Sequence, residues 1–491
     1  MQSNSAIGLG ARCQFGYCGG MSSLSARQLA ILLVGWRDSG VAYAALADRI
    51  RLLILDGRVA SATRLPAERE LAAQLEVSRT TVTAAYAELR EAGYLMSVRG
   101  SGSIAQLPFR APTTLESTPG YLDFSKATMP AIPGVVAAAQ EAALQLPAYL
   151  GESGFDPVGI PVLREALADR YTARGLPTSP DQIMVTIGAQ HAIALIARTI
   201  MARGDRALIE NPTYPHALDA LKAAGARIAP VSVTSEGGWD EDALEQVIQR
   251  TSPSLGYLMP DNHNPTGASM PEELRERVLG LAARAGTTLV ADETMGELHL
   301  DGTPDPLPFA AHGSAILIGS VGKSVWGGVR IGWIRADRTV IQRLIRARAS
   351  GDLGTPYLEQ LIVTNLLRDY DAILESRRSY LRAGRDRLER LLAARLPEWH
   401  VPHVRGGITA WVNLGHPVSS QLAIAARNEG LIIAAGPRFG VDGAFERFLR
   451  IPFSYSADET ERGVDALARA WAAVGRHPLP ETSADLAASV V

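Results

Sequence analysis

The sequence predicts a two-unit chain, a small helical module closed by a β-hairpin and then a large α/β unit on a mostly parallel sheet. Three observations predict it. Apolar residues recur at helical spacing up to about residue 92 and then give way to two short strands around a glycine-rich turn. A stretch with Pro108, Pro112 and Pro119 has no hydrophobic period and reads as a linker. Beyond it, short apolar runs alternate with helical segments, as in a sheet covered by helices on both faces. The expected boundaries are a disordered tail over 1–23, a first unit over 24–107, a linker over 108–120 and a second unit over 121–478. The second unit includes a smaller α+β part from about 360, and a tail runs over 479–491.

The 491 residues exceed one small domain, and a hydrophobic content of 47% suffices for a sizeable core. A net charge of −3 excludes a nonspecific nucleic-acid coat, so any DNA contact is local. Both cysteines, Cys13 and Cys18, fall in the first twenty residues. The rest of the chain has no internal disulfide, which fits a reducing cytoplasm, and without a second ligand pair no metal site is expected. The first twenty residues lack a continuous apolar core, so no secretory signal is expected, and Met21 is an alternative start. No apolar stretch approaches the roughly 20 residues of a membrane span.

In the first unit, Leu46, Ile50, Leu53 and Ile54 mark a helix that stops at Asp56-Gly57. Leu65-Pro66 introduces a second helix over 67–75. Ser78 is placed as the N-cap of a third, whose Val82, Tyr86 and Leu89 face inward and leave Arg79, Thr80, Thr81 and Thr83 at its exposed start. Strands around 93–98 and 103–105 flank the turn Arg99-Gly100-Ser101-Gly102. Three helices and a hairpin make a winged helix-turn-helix. In that fold the third helix enters the major groove, where Arg79 is the main candidate for reading base edges. Arg64 and Arg69 suit the DNA backbone, and Arg99 beside Gly100 suits a phosphate or minor groove. The plain alternative is a packing module with solvated arginines. Against it, residues 41–105 closely resemble the GntR family of regulators in the Leu-Pro-Ala-Glu-Arg-Glu-Leu-Ala run, the Val-Ser-Arg-Thr-Thr-Val helix start and the Arg-Gly-Ser-Gly wing.

In the second unit, apolar runs at 183–187, 207–209, 255–259, 288–291 and 315–318 each precede a loop or helix start, where ligands of such sheets bind. Only three of the 48 basic residues are lysines, and Lys323 follows one of these runs, placed for Schiff-base chemistry with an aldehyde. Asp292 ends a run and could hold a pyridine nitrogen protonated, or simply cap a helix. Asn264, before Pro265-Thr266-Gly267, offers an amide to a ring oxygen, or belongs to a turn. Gly188, Ala189 and Gln190 precede a helix and can hold a phosphate, with Ser320 and Arg330 completing the cup. Tyr214 can stack on a ring, although an aromatic beside prolines is more often packing.

In this order these elements closely resemble fold-type I aminotransferases over residues 120–475. The resemblance implies pyridoxal 5'-phosphate as an internal aldimine on Lys323, with Asp292 on the ring nitrogen and Asn264 on the ring oxygen. It puts Arg330, Ser320 and Gly188 to Gln190 on the phosphate, and Arg450 on a substrate or effector carboxylate. A winged helix before such a unit is the layout of the MocR subgroup of GntR regulators. That resemblance implies a homodimer on a double-stranded operator, sensing pyridoxal phosphate or an amino acid or amine. An active aminotransferase with an appended DNA module is the alternative. The usual tyrosine two or three residues after the aspartate is replaced by Thr294 and Met295, which argues against efficient transamination, and Phe155 stands where a partner-reaching tyrosine would fall.

Overall fold

The computed structural model describes residues 23–33, 36, 41–55, 59, 63–98, 102–106, 121–302, 305–441 and 443–475. The chain divides into two compact units, one within residues 1–114 and one within 115–478. Cys13, Cys18, Met21, Arg99, Gly100 and the expected linker lie outside the described residues.

The first unit holds α1 (Ala26–Leu32), α2 (Ala42–Leu55), α3 (Glu68–Leu75) and α4 (Arg79–Glu91), then the antiparallel strands β1 (Leu95–Val98) and β2 (Gly102–Ala105). The three expected helices are α2 to α4. The extra helix α1 is short, and Ser25 caps it with Gln28 as reciprocal partner; seven residues were too few for a periodic signal. Leu46, Ile50 and Leu53 from α2 meet Leu71 from α3 and Val82, Tyr86 and Leu89 from α4 in one core. Tyr86 satisfies its buried hydroxyl by donating to the carbonyl of Pro66 at 3.1 Å, which ties α4 to the turn before α3. Glu76 ends α3 in the left-handed region at φ 53°, so the chain reverses into α4 with no glycine.

The second unit begins with β3 (Leu122–Asp123) and is built on a sheet from β4 (Ile183–Thr186), β5 (Arg206–Asn211), β6 (Arg227–Thr234), β7 (Gly238–Trp239), β8 (Leu255–Leu258), β9 (Thr288–Asp292), β10 (Ile316–Ser320) and β11 (Gly332–Arg335). Its order is β4-β11-β10-β9-β8-β5-β6-β7. The central pairs β10-β9, β9-β8, β8-β5 and β5-β6 are parallel. The sheet is more mixed than expected, because β11 runs antiparallel to both neighbours and β7 to β6. Both faces are buried. On β9, Leu289 and Ala291 enter one apolar cluster and Val290 the other, as the two-residue period of a strand requires. Double-sided burial is why these strands read as unbroken apolar runs.

A smaller sheet follows from β12 (Thr409–Asn413), β13 (Leu431–Ile432), β14 (Ala434–Ala435) and β15 (Phe448–Pro452). It has the order β12-β15-β14, while β13 pairs in parallel with β3. Among the described residues no helix is long and apolar enough to cross a membrane.

Candidate functional site

Because the central strands are parallel, their C-terminal ends share one edge, and a cavity of about 350 Å³ opens there. Ala189, Gln190, Tyr214, Asn264, Asp292, Ser320, Lys323, Arg330 and Arg450 all line it. These residues span more than 260 positions of sequence. Gly188 is not in the lining but stands directly behind it. A Cβ at Gly188, whose φ is +78°, would come within 2.8 Å of an Arg330 guanidinium nitrogen.

Gly188 precedes the helix Ala189–Ile200, so the helix's first N–H groups face the cavity edge with no side-chain cap. Arg330 adopts φ 56° and donates to the carbonyl of Ile187 at 3.1 Å, which holds its guanidinium over that turn. Ser320 donates to the carbonyl of Ile331 at 3.0 Å and accepts from the N–H of Gly322 at 3.1 Å. A Cβ at Gly332 would meet the backbone of Gly188 at 2.7 Å, so this close approach of β11 requires glycine.

Asp292 is 5% exposed and anchored by two donors, the hydroxyl of Tyr257 at 2.7 Å on Oδ2 and the N–H of Thr294 at 3.0 Å on Oδ1. Burial pushes its pKa up, against the pull of those donors. Lys323 leaves the end of β10 and donates to the carbonyl of Ala127 at 2.5 Å. Burial, helped by the nearby Arg450 charge, brings its ammonium down to about 8. Attachment of an aldehyde to Lys323 is therefore expected to accelerate with pH and level off above about 8, since the neutral amine is the nucleophile. Stopped-flow mixing with pyridoxal phosphate across the pH range reads this; a rate still climbing at about 10 would mean an ordinary solvated lysine.

Arg450 sits on β15 opposite Trp411, with its guanidinium 4.8 Å above the ring of Phe439, and it donates to the carbonyl of Ser125. Its Nε is buried and has no partner. Burial lowers its pKa to about 10, which leaves it charged at neutral pH. Asn264 likewise keeps a buried Oδ1 without a partner. Tyr214 hydrogen-bonds Nδ1 of His216 at 3.1 Å. The cavity also takes in Ser125 to Thr128, His216, Asp261 and Asn262, which sequence reasoning missed. Asp261 is spent on a buried ion pair with Arg275. Tyr257, inside the apolar run 255–259, was not singled out in the sequence and is buried.

In the first unit a groove of about 550 Å³ is lined by Arg64, Arg69, Arg79 and Arg90. Arg79 opens α4, and Arg64, Arg69, Arg79 and Thr80 are exposed. Ser78 is the expected helix cap, and both it and Thr83 have side-chain partners within the unit. Ser78 spends its hydroxyl on the N–H of Thr81 at 3.1 Å and on the hydroxyls of Thr80 and Thr81, so it caps α4. Thr83 donates to Glu68 at 2.8 Å, and Arg90, unremarked in the sequence, pairs with Glu68 at 2.9 Å.

Comparison with known proteins matches residues 121–467 to the family model "Aminotransferase class I and II" and residues 42–104 to "Bacterial regulatory proteins, gntR family". The chain belongs to the aminotransferase class I and II family. It is a fusion of that domain to a gntR-family domain, the arrangement of MocR-type proteins, and its cofactor is pyridoxal 5'-phosphate. The fusion is 25% identical to the uncharacterized HTH-type transcriptional regulator YdfD of Bacillus subtilis, over 86% of this chain and 94% of that protein. It is 30% identical to the probable rhizopine catabolism regulatory protein MocR of Rhizobium meliloti, over 62% of this chain and 67% of that one. Its second unit resembles crystalline LysN, an α-aminoadipate aminotransferase of Thermus thermophilus complexed with N-(5'-phosphopyridoxyl)-L-leucine. That likeness has a TM-score of 0.66 and 29% identity, covering 72% of this chain and 92% of LysN. The residues present fit the cofactor: the unpartnered N–H at Arg450 Nε is a donor that a carboxylate would satisfy, and the glycine-walled turn under Arg330 leaves room for a phosphate.

Proposed function

We propose that this chain is a DNA-binding transcriptional regulator whose aminotransferase-like unit holds pyridoxal 5'-phosphate on Lys323 and senses it, alone or with an amino acid or amine. The observation that carries this reading is an exposed, arginine-lined groove at the start of α4 in a chain that also bears the lysine cavity. DNA contacts are assigned to Arg64, Arg69, Arg79, Thr80 and Thr81. Ser78 and Thr83 act through the helix cap and Glu68.

When bound, the cofactor supplies an aldehyde carbon and an electron-withdrawing ring. The remaining work belongs to the chain. The first N–H groups of helix Ala189–Ile200, with Ser320 and Arg330, bind the phosphate. Asp292 holds the proton at the ring nitrogen, Asn264 donates to the ring oxygen and Tyr214 covers the ring. Arg450 binds the effector's carboxylate, and the Nζ of Lys323 accepts or returns a proton beside it. Cytoplasmic residence accords with cysteines confined to the first twenty residues. A homodimer accords with the exposed apolar side chains of Leu144, Leu150 and Phe155, which a second copy would cover and sedimentation would detect.

A ligand shifts DNA binding only if it binds two states unequally. Affinity of the full chain for its own upstream DNA, titrated with pyridoxal phosphate and candidate amino acids, is expected to change about 5- to 150-fold. DNA affinity indifferent to every ligand that occupies the cavity would overturn the sensing role. The second reading, a working aminotransferase, draws on Lys323 and Arg450 sharing the cavity. Met295 and the short Thr294 weigh against it, and multiple turnovers with an amino acid and a keto acid would revive it.

A further inference from the structure

We propose that Tyr257 is a positioning residue for the cofactor ring, whose donated hydroxyl keeps the Asp292 carboxylate ionised and fixed in the cavity wall. The inference rests on the cofactor reading of the cavity and not on DNA binding.

The sheet register creates the contact. β8 and β9 run parallel with Tyr257 opposite Val290. Asp292, two residues beyond Val290, projects from the same face as the diagonal neighbour of Tyr257, within reach of a long aromatic side chain. The hydroxyl arrives at 2.7 Å on Oδ2. Tyr257 is 1% exposed and its ring packs in the cluster that contains Ile209, Val290 and Ile318, so the donor has little freedom to leave.

A buried carboxylate tends to take up a proton, and a neutral acid cannot serve as counter-ion to a pyridinium. Burial pushes Asp292 that way, and the like charge of Glu210 adds to it. The opposing donors are Tyr257 first and then Thr294, through both its N–H and its side chain. Lys323 and Tyr214 also interact electrostatically with Asp292. Thr294 is therefore committed to the acid, and Met295 has no donor to add. A phenol hydroxyl reaches this site from β8, where it acts on the acid.

The test is Tyr257→Phe in the full chain, which deletes one oxygen and keeps the ring. Loss of a hydrogen bond to a charged group is expected to weaken pyridoxal phosphate binding about 10-fold. It should also raise the midpoint pH of the bound cofactor's visible band by about one unit, because a less cationic ring withdraws less from the nitrogen shared with Lys323. Tyr171→Phe, which removes another buried phenol oxygen, bonded to Trp333 at 3.0 Å, controls for loss of packing polarity and should move neither. In an Asp292→Asn background, Tyr257→Phe should add nothing. The proposal fails if Tyr257→Phe leaves the midpoint unmoved, if Tyr171→Phe moves it equally, or if the effects of the Tyr257 and Asp292 changes simply add. A chain that acquires the visible band yet binds no DNA would sink the regulator reading and leave this one standing.

Discussion

Lys323→Ala is expected to abolish the visible absorption that pyridoxal phosphate gives the wild-type chain and to let the cofactor wash out on desalting. Phosphate and ring contacts remain, so weak noncovalent binding should persist, at an affinity lower by about 100-fold, or ~2.7 kcal/mol. The three lysines make the assignment clean. Of the other two, only Lys126 lines the cavity, and its exposed side chain is paired with Asp123 at 2.9 Å. Reduction with borohydride followed by peptide mapping should label Lys323 alone, and Lys126→Ala should keep the band. Label on Lys126 or Lys222 would remove the covalent role from Lys323. In DNA-binding assays the Lys323→Ala chain should also lose its response to pyridoxal phosphate while retaining its ligand-free affinity, because the DNA-reading residues lie in the other unit.

The second large effect is expected from Arg79→Ala. Arg79 is the first residue of α4, exposed at the helix start, and it lines the same groove as Arg64 and Arg69. A bidentate contact to a guanine edge is worth about 1–3 kcal/mol, so the variant should bind its operator about 5- to 150-fold more weakly and relax preference at one base pair per half-site. Arg69→Ala should instead weaken all sequences alike and reduce the salt dependence by about one charge. Equal losses on specific and random DNA for Arg79→Ala would reassign it to the phosphate backbone. Thr83→Val offers a contrast. Its hydroxyl serves Glu68, so its effect should come through the Glu68–Arg90 pair and appear in stability more than in sequence preference.

Much of the candidate site is legible in the sequence. Parallel strands bring their C-terminal ends to one edge, so the residues after each apolar run were bound to meet, and Asn264, Asp292, Ser320 and Lys323 do. The N-cap of α4 was equally legible, because a serine before a helical period has few other uses. Helix α1 escaped for its length, and β11 because an antiparallel strand of four residues gives no signal of direction. The loop Ser125 to Thr128 escaped because its place is set by Arg450 and Tyr455, more than 300 residues away.

The sequence by itself determined the two units, the strand-end chemistry and the helix that presents Arg79, since each follows from local periodicity, capping and the placement of a few reactive side chains. Tertiary structure alone decided which partners those side chains have. Whether Tyr257 is core filler or the donor on Asp292 depends on the register of β8 against β9, and one residue of slip would turn it to the opposite face. Thr83 looks like a DNA contact until α3 brings Glu68 beside it. Burial, which exists only in the folded chain, moves Lys323 from an ordinary ammonium to an amine that sheds its proton near pH 8.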